Sequence, residues 1–162
     1  MLNPSLSERL RKKQYMSQYL SELSILMGYP VQAGELGGLD QAGEIRAAVL
    51  AGTAAQAGSR FELSFSEVAS ERFKRYLQRL IASNPSPVYV WTPRTIDCGA
   101  LTVDSLLRMN FNFPFNINEE GIIAFVTNDV ADRMLLEFSI NSVGQEVLIV
   151  ETQGPNWASA MY

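Results

Sequence analysis

Apolar residues recur at helical spacing near the start of the chain, where Leu6, Leu10, Met16, Tyr19, Leu20, Leu23, Leu26 and Met27 mark a helix running to about Met27. Ser5 or Ser7 can cap its start, and Gly28-Tyr29-Pro30 stops it. Ala33 to Gly43 holds four glycines and reads as a loop. Glu44 to Leu50, with Ile45, Ala48 and Val49, forms a short helix that frays into the small-residue tract Ala51 to Gly58, which is expected to be mobile. A third helix follows. Ser64 with Glu67 fits a capping box, or Ser66 caps one turn later, and Val68, Phe73, Tyr76, Leu77, Leu80 and Ile81 then share a face up to Ser83-Asn84-Pro85.

The period changes after Pro87. Val88-Tyr89-Val90-Trp91-Thr92 is a β-branched and aromatic run bounded by prolines, hence a first strand with Trp91 in the core. Ala100 to Val103 reads as a short strand and Asp104 to Met109 as a helical turn. Gly121 to Thr127, Arg133 to Ile140 and Glu146 to Gln153 are apolar runs joined by Asn- and Asp-rich or Gly-containing turns, the chemistry of an antiparallel meander. The strands carry apolar residues on both faces, so one face should lie under the N-terminal helices and the other should be partly covered. The pattern predicts one α+β domain: residues 1–84 mainly helical, residues 86–157 mainly β, the helices packed on an antiparallel sheet of four to five strands. No repeat of solenoid length is present.

The composition narrows the chemistry. The 162 residues are 47% hydrophobic and 19% charged, ordinary for one soluble domain. The single cysteine excludes an intramolecular disulfide, and the start shows no basic segment followed by an apolar run, so a cytoplasmic protein is expected. No apolar run approaches the roughly 20 residues of a membrane helix. A pI near 4.9 argues against nucleic-acid binding, and the cluster Arg9, Arg11, Lys12, Lys13 reads as the solvated face of a helix. With no histidine in the chain, the usual Ser-His-Asp and Cys-His machineries and the Cys/His zinc sites are excluded. Cys98 reads as a small buried hydrophobe. Glu119-Glu120 and Asp129-x-x-Asp132 are the paired carboxylates that acid–base chemistry or a hard cation would use, yet both pairs read better as turn residues. No metal, no cofactor and no catalysis are expected.

Charge is unevenly divided. Residues 83–162 carry three arginines against nine acids, a formal −6, whereas residues 1–82 carry ten bases against eight acids. An acidic strand-rich half suits a basic partner. The order Glu120-Gly121-Ile122-Ile123-Ala124-Phe125-Val126, Asn128-Asp129, Asp132 to Phe138, Val147 to Glu151 and Gly154-x-x-Trp157 resembles the C-terminal meander of small bacterial immunity proteins encoded beside polymorphic toxins, including those of contact-dependent growth inhibition. The resemblance spans about 40 residues. It implies a cytoplasmic inhibitor, monomer or homodimer, that binds and neutralises a cognate toxin domain, often a basic nuclease. The electrostatic contacts expected from position and charge are Asp129, Asp132, Glu137 and Glu151, with Glu119 and Glu120 at the rim and Trp157 either capping the core or anchoring the partner. The electrostatic reading requires the carboxylates to share one exposed patch, and scattered carboxylates would end it. The alternative is a small acidic secretion chaperone holding an effector segment on an apolar groove.

Overall fold

A computed structural model describes residues 3–52 and 57–162. Helix α1 (Leu6–Met27) begins at a capping box: the Ser5 hydroxyl accepts from the Glu8 amide while the Glu8 carboxylate accepts from the Ser5 amide. It ends where Gly28 turns left-handed, at φ 76°. Helix α2 (Leu39–Gly52) starts earlier than the glycine content predicts. Burial of Ala42 and Ile45 outweighs the penalty of about 1 kcal/mol that an internal glycine such as Gly43 imposes on a helix. The small-residue tract expected to be mobile lies largely at residues 53–56, outside the described residues.

Strand β1 (Gly58–Ser64) is the main departure from the sequence reading, which assigned no strand before Pro87. Its alternation was legible, with Ser59, Phe61 and Leu63 on one face and Arg60 and Glu62 on the other. Neither Ser64 nor Ser66 caps the helix that follows. A short 3-10 turn, Phe65–Ala69, intervenes, and helix α3 (Glu71–Ser83) is capped by Ser70, whose hydroxyl accepts from the Phe73 amide.

The remaining elements are β2 (Val88–Trp91), a single-turn α4 (Thr95–Cys98), β3 (Leu101–Val103), a 3-10 turn at Leu106–Arg108, and β4 (Ile122–Thr127), β5 (Arg133–Ile140) and β6 (Glu146–Gln153). All pair antiparallel in one sheet of order β1-β6-β5-β4-β2-β3, six strands rather than the four or five expected. The predicted meander is β4-β5-β6. The early strand β1 closes it by pairing with β6 over all seven of its own residues, from Gly58 opposite Gln153 to Ser64 opposite Val147.

One face of the sheet lies under α1 and α3. Tyr19, Leu23 and Leu26 of α1 and Phe73, Tyr76, Leu77 and Leu80 of α3 pack with Val90, Phe125, Met134, Leu136 and Val150 in one continuous core. On the opposite face α2 packs a smaller cluster, Ile45 and Val49 against Tyr89, Trp91 and Val126. Both faces are therefore used, as the apolar content predicted. Trp91 belongs to this minor cluster and is half-buried. Among the described residues no helix is long and apolar enough to cross a membrane.

Candidate functional site

The strand register fixes which side chains share the outer face. Arg60, Glu151, Leu135, Ala124 and Trp91 form one row across five strands, and Glu62, Ile149, Glu137 and Ile122 form the next. Helix α2 roofs only the β2–β4 side. Beyond it, Arg133, Leu135, Glu137, Ile149, Glu151 and Gln153 are half-buried, and Arg60, Glu62 and Ile122 are exposed.

Between α2 and the open strands lies a groove of about 430 Å³, walled by Ile45, Val49, Trp91, Val126 and Leu135. That volume falls in the range of ligand and anchor pockets. Its polar lining is Arg46, Arg133, Glu151 and Gln153. Arg133 Nε donates to Gln153 Oε1 at 2.8 Å and Gln153 Nε2 donates to Glu151 Oε1 at 3.3 Å, so one amide holds an arginine and a glutamate in a row along the groove. An apolar floor with fixed charges at its edge suits a large side chain entering with a polar rim around it.

The seven residues singled out for partner contact do not form one patch. Asp132 and Trp157 are interior, with 1% and 0% exposure, so neither offers a surface contact. The Asp132 carboxylate accepts from Asn84 Nδ2 at 2.8 Å, Asn156 Nδ2 at 2.8 Å, Asn156 N at 2.9 Å and Trp157 N at 3.0 Å. It pins the C-terminal turn to the end of α3. Trp157 completes that joint by donating Nε1 to the Leu80 carbonyl at 2.9 Å, which makes it the core cap of the two roles considered. Gly154 is required there: it sits at φ 118°, and a Cβ would come within 2.3 Å of Asp132 Oδ1.

Asp129 is exposed in the β4–β5 turn, where its carboxylate accepts from the Ala131 amide and the Asn84 side chain. Partial burial alone would raise its pKa. Hydrogen bonds from Thr127, Ala131, Asn84 and Ser86 outweigh burial and lower it. Glu119 and Glu120 lie at the opposite end of β4, exposed, with Glu120 4.0 Å from Arg94. Only Glu137 and Glu151 reach the outer face, and they share it with Arg60 and Arg133. The expectation of a single acidic platform is thereby corrected. Alternation along β5 and β6 sends every second side chain to the other layer, Asp129 is engaged by its own turn, and Asp132 is engaged by the C-terminal turn.

A separate polar seam joins α1 to α4. Arg94 lies 3.7 Å from the Tyr15 ring centroid and 3.7 Å from Asp97, and Arg11 meets Asp97 at 3.2 Å. Glu22, 7% exposed, accepts from Gln18 at 3.1 Å through one oxygen, while the other has no hydrogen-bond partner among the described residues. Cys98 is fully buried as anticipated, and burial, followed by the charge of Asp97, pushes its thiol up to about 11. Among the described residues no group of three or more Asp, Glu and Cys side chains is placed to hold a metal ion.

Sequence reasoning did not find the groove. Trp91 was read correctly as strand, but Arg46 and Leu135 become neighbours only because α2 crosses the outer face. No local pattern encodes that crossing. Compared with known proteins, the chain matches no family model, no curated protein and no solved structure.

Proposed function

We propose that this chain is a binding protein that neutralises a toxin domain by docking it on the outer face of the sheet. The observation that supports this most directly is the half-roofed groove floored by Trp91 and Leu135 beside Glu137 and Glu151. A rigid six-stranded sheet keeps its position fixed before contact, which lowers the ordering cost of association. The formal charge of −4 favours encounter with a basic domain. The face itself carries both signs, so it contributes registry more than attraction. The resemblance of the meander to immunity proteins points the same way.

The test is co-expression with a toxin-like domain, should one be encoded beside this chain, followed by titration of the purified pair. Leu135→Arg, which places a charge in the groove, is expected to weaken binding by about 100-fold or more and to abolish growth protection, the loss typical of a central anchor position. Protection and affinity unchanged in that variant would remove the groove from the proposal. The groove equally fits an extended effector segment, the chaperone reading. Binding to the unfolded toxin chain in preference to the folded domain would decide for that reading.

A further inference from the structure

We infer that β1 is a self-pairing edge, through which two copies of this chain join into one continuous sheet. This rests on β1 and not on the groove reading. β1 is the terminal strand of the sheet: it pairs with β6 on one side, and among the described residues no backbone hydrogen bond reaches it from the other. It is seven residues long and contains no proline, so its outward amides and carbonyls are free to pair.

The residues on that edge select the occupant. Arg60 and Glu62 project from the same face, both are exposed, and neither has an ion-pair partner within 4.0 Å among the described residues. An edge protected against pairing repeats one sign of charge, which repels a second copy. This edge carries opposite signs two residues apart, symmetric about Phe61. In an antiparallel pair centred on Phe61, Arg60 of each copy faces Glu62 of the other, Phe61 faces Phe61, and Ser59 faces Leu63. Sliding the pairing by two residues either way sets Arg60 against Arg60 or Glu62 against Glu62, so the charges also fix the register. Phe61 is only half-buried in one chain, stacked on Tyr162 at 4.7 Å and edge-on to Tyr76 at 5.1 Å, and the pairing adds its own copy as a neighbour. The twofold axis is perpendicular to the sheet. Both α1–α3 layers then lie on one side and both grooves open on the other, an isologous arrangement that closes at two copies.

The experiment is sedimentation equilibrium on the full chain alone, with no partner present. The wild type is expected to associate reversibly to twice the 18.0 kDa of one chain. Arg60→Glu and Glu62→Arg each place like charges opposite one another twice and are expected to weaken the dimer about tenfold or more. An equimolar mixture of the two variants restores opposite charges at both positions and should regain wild-type affinity as a heterodimer. A wild type that remains at 18.0 kDa at every concentration overturns the inference. So do single variants that dimerise normally, or a mixture that stays as weak as its components. Because both residues are exposed, circular dichroism should show all the variants folded.

Discussion

The two faces of the sheet are made from the same strands and serve different ends. Toward α1 and α3, alternate residues of β5 (Met134, Leu136, Phe138) are all buried, and two of the polar side chains that enter this layer donate to backbone carbonyls, while Tyr76 Oη and Thr152 Oγ1 have no hydrogen-bond partner among the described residues. Tyr19 donates to the Gly99 carbonyl at 2.7 Å and Trp157 to the Leu80 carbonyl. One residue along, Arg133, Leu135 and Glu137 face a layer that α2 only partly roofs. The first face concentrates the packing that resists unfolding. The second keeps apolar surface beside fixed charges, a combination that costs a lone chain some stability and suits contact with another molecule.

That contrast can be broken most severely at its seam. Trp157→Ala removes the largest fully buried side chain and its hydrogen bond to the end of α3, and should cost about 3–5 kcal/mol by urea denaturation. A smaller loss would mean that the C-terminal turn repacks independently of the core. A paired measurement compares adjacent residues on opposite faces. Leu136→Ala is expected to cost about 2–5 kcal/mol, whereas Leu135→Ala should cost no more than about 1 kcal/mol, because its environment is already open. Equal losses would show that the outer face contributes to the core as fully as the inner one.

The smallest effect concerns Glu22, beneath the polar seam. Burial raises its carboxyl pKa above the ordinary 4.5; the Gln18 hydrogen bond and Arg94 oppose this, and the charges of Glu120 and Glu119 add to it. From pH 4.5 up to its folded value the native chain holds more of this proton than the unfolded one, so stability falls as pH rises through that window. Below 4.5 the group is protonated in both states and contributes no slope. Glu22→Gln should therefore melt higher than the wild type above the window and match it at acid pH. A melting difference independent of pH would assign the effect to packing.

Much of the architecture was legible. The three late strands were readable because apolar runs of strand length alternate with turn chemistry, and α1 because its apolar spacing is long and capped. β1 was missed for a local reason: Ser64-x-x-Glu67 mimics a capping box, and the alternation of Arg60, Phe61, Glu62 and Leu63 spans too few residues to compete with it. α2 was shortened because glycine and alanine mark a loop as readily as a helix whose inner side is buried. The candidate site was the least legible part. Asp132 and Glu137 look alike in sequence, yet Asp132 binds four donors in the interior and Glu137 sits on the outer face.

The sequence by itself determined the class of the fold, the antiparallel meander, and the exclusion of imidazole chemistry and of an intramolecular disulfide, since these follow from composition and from periods of two and 3.6 residues. Tertiary structure alone decided that β1 becomes an edge strand beside β6, that α2 leaves a groove on the outer face, that Asp132, expected at the surface, is interior, and that Trp157 caps the core and does not anchor a partner. Those outcomes depend on contacts between residues distant along the chain, where burial and hydrogen bonding outweigh any local preference.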